Sequence, residues 1–130
     1  MKYGVHSNRF QGEYKRVLIV CSAGILRSAT AAHVLCQRPF NFNTRNVGTA
    51  PYALIPLTED LIQWADEIVC METEHKLNVM NKLMEWGYPS VKPIIVLDIE
   101  DNYEYRNPTL VKLIKERYKA RTSEQNDKSI

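Results

Sequence analysis

Cys21 ends an apolar run, Arg16-Val17-Leu18-Ile19-Val20, and is followed by Ser22-Ala23-Gly24-Ile25-Leu26-Arg27-Ser28. A thiol, a guanidinium six residues beyond it and an adjacent hydroxyl could carry out phosphoryl transfer to sulfur. A short β-branched run has the character of a buried parallel strand. A loop turning from such a strand into a helix aims several backbone N–H groups at one point and so builds an anion-binding nest. The residues of that nest are Ser22, Ala23, Gly24, Ile25, Leu26 and Arg27, with Gly24 suited to a positive φ. The planar fork of Arg27 can grip two phosphate oxygens at once. Helix dipole, amides and guanidinium all favour the anionic form of Cys21. Ser28 can donate its hydroxyl to that sulfur. An isolated Cys-x5-Arg pattern fits an inert, buried thiol equally well. The strand before it, Gly24 within it, Ser28 and the helix after it favour the nucleophile.

The remaining elements alternate between strand and helix. A helix begins near Ser28, presents Ala31 and Leu35 inward and stops at Pro39. A short strand around Thr44 to Val47 leads into Gly48-Thr49-Ala50-Pro51-Tyr52. Thr58 can cap a second helix, with Glu59 and Asp60 placed for its dipole and Leu61, Ile62 and Ala65 inside. Glu67 to Met71 reads as a strand. Thr73 can cap a third helix whose apolar repeat is Leu77, Met80, Leu83 and Met84, ended by Gly87. Val91 to Leu97 reads as the last strand, with Pro93 near its start indicating an edge position or a late beginning to the ladder. Asn107-Pro108 is a cap followed by a first-turn proline, and Leu110, Val111, Ile114 and Tyr118 form the stripe of a fourth helix. Residues 1–15 read as an N-terminal extension, 16–121 as the domain and 122–130 as a polar tail. The alternation implies βαβ units, a parallel sheet and an α/β fold. Ligands in such sheets sit outside the carboxyl ends of the strands, where Cys21 falls. Asp98 and Asp101 follow the last strand, so both could reach the same mouth.

Val20-Cys21-Ser22-Ala23-Gly24-Ile25-Leu26-Arg27-Ser28-Ala29-Thr30 resembles the phosphate-binding loop of the low-molecular-weight protein tyrosine phosphatases, and most closely the compact branch of bacterial and phage proteins. Gly48-Thr49-Ala50-Pro51, Leu57-Thr58-Glu59, Trp64-Ala65-Asp66 and the segment Leu97 to Tyr105 are similar to that branch as well, so the likeness runs from about Arg16 to Ala120. The resemblance implies a three-layer α/β/α fold on a four-stranded parallel sheet in the order 2-1-3-4, counted from Arg16, with the phosphate loop between the first of these strands and the first helix. It implies hydrolysis of a phosphomonoester, here a protein phosphotyrosine or a small aryl phosphate, through a phosphocysteine at Cys21. Gly24 replaces the family's usual loop asparagine. Leu26 stands where many members carry a second, protective cysteine.

Expelling an alkoxide or phenoxide calls for a positioned carboxylic acid, which can afterwards activate water. The family places that aspartate in the loop after the last strand, and Asp101 matches it best, with Asp98 as the alternative. The family's usual proline after the aspartate is Asn102 here. Tyr52 and Tyr103, and less strongly Tyr105, are candidates for the walls that a phenyl ring would stack against.

Three cysteines without framework spacing fit a reducing cytoplasm, and Cys36 and Cys70 read as core. His6, His33 and His75 have no metal-ligand spacing, and no metal or cofactor is expected. A formal charge of +2 gives no case for nucleic acid or a membrane surface. No run of about 18 apolar residues exists, and the N-terminus lacks an apolar signal core. Two other functions compete: a phosphate-binding module with little turnover, and a thiol-dependent arsenate reductase, for which Cys36 and Cys70 are not in the usual places.

Overall fold

The apolar run before Cys21 forms a central strand whose side chains alternate between two cores. The computed structural model describes residues 5–6, 14–22, 27–87, 92–100 and 102–128, with side chains for 14–22, 27–87, 92–100 and 102–123. The elements are β1 (Val5–His6), β2 (Arg16–Cys21), α1 (Arg27–Leu35), β3 (Asn43–Gly48), α2 (Glu59–Trp64), β4 (Glu67–Cys70), α3 (Thr73–Glu85), β5 (Ile94–Val96) and α4 (Pro108–Lys128). Val17, Ile19 and Cys21 pack with Ala31 and Leu35 of α1 and with Leu110, Ile114 and Tyr118 of α4. Leu18 and Val20 pack on the other face with Ile62 of α2 and Val79 of α3. The two-residue period of a strand produces this split and hence the three layers. Each fully buried Val, Leu or Ile contributes about 1.5 to 3 kcal/mol of transfer free energy.

Counted from Arg16, the four parallel strands lie in the order 2-1-3-4, which is β3-β2-β4-β5. Val5–His6 adds to the β3 edge as a short antiparallel strand. Two residues carry no periodicity, so nothing in the sequence marks this pairing. β5 is the opposite edge, and the Pro93 carbonyl accepts from Ile68 N at 2.9 Å. No helix among the described residues is long and apolar enough to cross a membrane.

Thr58 caps α2, its side chain accepting from Leu61 N. The cap of α3 is Glu72 rather than Thr73. The buried face of α3 also differs from the expected stripe: His75 and Val79 face the sheet, while Leu77, Met80 and Met84 are exposed, Met84 by 80%. A buried histidine opens the inner face, so hydropathy alone selects the wrong one. α4 continues through Lys128, beyond the residue at which a polar tail was expected to begin.

At the amino ends of the strands, Lys15 Nζ donates to Glu67 Oε2 at 2.9 Å and Tyr118 OH donates to Glu67 Oε1 at 2.7 Å. Phe40 and Phe42 pack edge-on against the Tyr118 ring. Burial, followed by the Glu67 charge, raises the Tyr118 hydroxyl above its ordinary range. This cluster fastens α4 to β4 at the end of the sheet away from Cys21.

Candidate active site

Cys21 is the last residue of β2, only 3% exposed, and lies beside Gly48 of β3. Its carbonyl accepts from Thr49 N at 2.9 Å, and that of Ser22 accepts from Ala50 N at 2.9 Å. These bonds hold the strand end and the first loop residue against the segment after β3. Cys21 Sγ lies 3.0 Å from Ser28 Oγ in the first turn of α1. Asn46 Nδ2 donates to the same Ser28 oxygen at 3.4 Å. A hydroxyl that accepts from an amide keeps its own proton for another acceptor, so Ser28 is set to donate to a sulfur anion.

Arg27 opens α1 and is 2% exposed. Its Nη1 donates to the Ile99 carbonyl at 2.8 Å and pairs with Glu72 Oε1. Burying a guanidinium is costly without charge and hydrogen-bond partners, and these two supply them. They also fix the plane of the fork, which is what bidentate anion binding depends on.

Glu72 and His75 form a reciprocal cap: the Glu72 side chain accepts from the His75 backbone, and His75 Nδ1 accepts from Glu72 N at 3.0 Å. A backbone N–H can only donate, so the ring proton is on Nε2. Nε2 lies 2.9 Å from Ser22 Oγ and therefore donates to it. Ser22 and Arg27, at the two ends of the loop, are thus both bonded to the turn that starts α3. The four intervening residues, Ala23 to Leu26, have no hydrogen-bonding side chain.

Cys21, Ser22, Arg27 and Ser28 are gathered at the carboxyl edge of the sheet. Ala23, Gly24, Ile25, Leu26 and Asp101 lie outside the described residues. Asp98 has φ 57°, and its Oδ2 accepts from Arg121 Nη2 at 3.1 Å. Tyr103 packs against the core on the α1 side, Tyr52 is 75% exposed, and Tyr105 lies under the Arg106 guanidinium. Cys36 and Cys70 are buried away from this cluster. Burial raises the Cys36 thiol and pushes that of Cys70 up to about 12.

Asn46, Glu72 and His75 escaped the sequence reading. Asn46 is a polar residue inside a strand, and His75 has no metal-ligand spacing to single it out. The available signal was Glu72-x-x-His75 at a helix start, a variant of the capping box.

No protein-family model and no curated protein matches the sequence. Among solved structures, Wzb of Vibrio vulnificus in complex with benzylphosphonate is similar at TM-score 0.62 and 22% identity, covering 82% of this chain and 96% of that one. The tyrosine phosphatase Wzb of Escherichia coli K30, in complex with phosphate, is similar at TM-score 0.61 and 17% identity, covering 82% and 95%. The YwlE arginine phosphatase of Geobacillus stearothermophilus is similar at TM-score 0.58 and 18% identity, covering 88% and 94%. The chain has the fold of the low-molecular-weight protein tyrosine phosphatases.

Proposed function

We propose that the protein is a cysteine-dependent phosphomonoester hydrolase acting on protein phosphotyrosine. The observation that carries this reading is Cys21 Sγ at 3.0 Å from Ser28 Oγ, beside an Arg27 whose guanidinium is pinned by Glu72 and the Ile99 carbonyl. The thiolate of Cys21 attacks phosphorus, the S–P bond forms and the bond from phosphorus to the aryl oxygen breaks. Asp101, as the acid, gives its proton to the departing phenoxide. Water then attacks the phosphocysteine, Asp101 takes its proton, and the S–P bond breaks to release phosphate and restore the thiolate. Arg27 and the backbone amides of residues 22–27 bind the phosphoryl oxygens, and Ser28 donates to the sulfur as it leaves. The Arg121 bond to Asp98 favours Asp101 over Asp98 as the acid. Tyr103, anchored on the core, and Tyr52, following the segment bonded to Cys21 and Ser22, flank the ring of the substrate. Benzylphosphonate, a phenyl ring one carbon from phosphorus, in complex with a protein of the same fold supports an aryl phosphate substrate.

Phosphoarginine is the competing substrate, because an arginine phosphatase shares this fold. A cysteine relay to arsenate would need two more thiols near Cys21. Cys70 packs in the core on the opposite sheet face, and Cys36 follows the far end of α1, its Sγ 3.1 Å from the His33 carbonyl. The test is hydrolysis of para-nitrophenyl phosphate, phosphotyrosine peptides and phosphoarginine peptides under reducing conditions with a chelator. Turnover of the aryl esters is expected, abolished in Cys21→Ser and Arg27→Ala and slowed about 10²- to 10⁴-fold in Asp101→Ala. Preferential release of phosphate from phosphoarginine would reassign the substrate. Phosphate binding without any turnover would reduce the site to a binding module.

A further inference from the structure

A second feature lies along the flank of α1, outside the proposed catalytic cluster. His33, Val34, Gln37 and Arg38 from α1 and the turn after it, Arg106 from the loop before α4, and Val111 and Lys115 from α4 line a cleft of about 250 Å³. Its floor includes the apolar Val34 and Val111, and its charged members, Arg38, Arg106 and Lys115, are all cationic and exposed. None of these three has a carboxylate partner among the described residues, whereas Arg16, Arg27, Lys82, Lys112 and Arg121 each have one.

Arg106 is held in place. Its backbone N donates to Thr30 Oγ1 at 2.9 Å, its Nη2 donates to His33 Nδ1 at 3.1 Å, and its guanidinium lies over the Tyr105 ring. Burial and the Arg106 charge hold His33 below its ordinary range, so the positive charge belongs to the two arginines and the lysine. Like charges around one concavity repel, and an anion relieves that repulsion.

The cleft lies farther along the helix that Arg27 opens. Thr30 is one helical turn past Arg27, and Arg106 belongs to the loop that carries Tyr103 and Tyr105. His33 is about 9 Å along the helix axis from Arg27 at 1.5 Å per residue. An extended peptide advances about 3.3 Å per residue. A residue roughly three or four positions from the phosphorylated one therefore reaches the cleft. We propose that this cleft binds acidic side chains of the substrate protein, three or more residues from the phosphorylated residue, and so selects substrates with acidic flanks. The proposal rests on the phosphatase reading and names the substrate class for it.

The test compares phosphotyrosine peptides of equal length that carry three glutamates, or three glutamines, before or after the phosphorylated residue. With the full chain, one of the glutamate peptides is expected to show a KM about three- to tenfold lower than its glutamine counterpart, with similar kcat. About 0.5 M salt should remove the difference. The double variant Arg38→Glu/Lys115→Glu should abolish or reverse the preference while turning over para-nitrophenyl phosphate at the wild-type rate. Equal KM values for all four peptides in the wild-type protein, or a preference that survives in the double variant, would overturn the proposal. If no substrate turns over, the phosphatase reading fails, and fluorescence anisotropy with the same labelled peptides decides the cleft separately. Tighter, salt-sensitive binding of a glutamate peptide, lost in the double variant, supports it, and equal binding refutes it.

Discussion

His75 donates from Nε2 to Ser22 Oγ at 2.9 Å and accepts from Glu72 N at 3.0 Å while being 0% exposed. Replacing it by phenylalanine keeps a flat ring and removes both nitrogens. The lost bond to Ser22 and the part-buried Glu72 N–H left without an acceptor together cost about 2 to 4 kcal/mol of folding stability. Ser22→Ala removes only the first bond but takes the acceptor from the buried Nε2–H, and costs about 1 to 3 kcal/mol. The consequence for turnover should not follow this ratio. Ser22 starts the loop, and a displacement of about 1 Å in a positioned group can cost about 10²-fold in rate. Both variants are therefore expected to lower kcat for para-nitrophenyl phosphate by about 10- to 100-fold at a temperature where urea titration shows each fully folded. Because both act through one bond, Ser22→Ala in the His75→Phe background should lower kcat no further. Wild-type kcat in Ser22→Ala, or fully multiplicative losses in the double variant, would refute the view that this bond positions the loop.

Tyr118→Phe removes the hydroxyl that donates to the buried Glu67 but keeps the ring contacts with Phe40 and Phe42, so denaturant unfolding should show a loss of about 1 to 3 kcal/mol. An unchanged midpoint would contradict that assignment. The Asp66 carboxyl is held below its ordinary range, chiefly by the Arg16 backbone N–H at 2.9 Å. A lowered folded-state value adds stability above the unfolded-state value and loses it as pH falls through the folded one. The stability gap between the wild type and Asp66→Asn should thus be present at neutral pH and shrink as pH falls below the ordinary aspartate range; a gap that widens in acid would contradict this sign. Burial pushes the Cys70 thiol up to about 12, so iodoacetamide at neutral pH should modify Cys21 before Cys70, and peptide mapping that finds Cys70 modified first would contradict it.

The proposed nucleophile, the hydroxyl beside it and the proposed anion-binding arginine are neighbours in the chain, so the grouping of Cys21, Ser28 and Arg27 at the end of β2 and the start of α1 was legible from their spacing and the strand and helix around them. The four parallel strands were legible because Val17 to Val20 and Ile68 to Met71 are short apolar runs between helical periods. The supports of the site were not. Glu72 lies 45 residues beyond Arg27 in sequence, and His75 lies 53 beyond Ser22. No local pattern encodes such a meeting. The α3 stripe misled because Leu77, Met80 and Met84 are spaced like a buried face yet lie outside, while the inward face is opened by a histidine satisfied at both ring nitrogens. Val5–His6 was invisible because two residues joining an edge give neither alternation nor length.

The covalent step can be observed directly. Wild-type protein mixed with an aryl phosphate, denatured within milliseconds and digested should yield the peptide containing Cys21 with a phosphoryl group on sulfur, seen by mass spectrometry and as a thiophosphate resonance in ³¹P NMR. Cys21→Ser should show neither the adduct nor turnover. Phosphate release that proceeds without that adduct, or that persists in Cys21→Ser, would contradict nucleophilic catalysis by this cysteine.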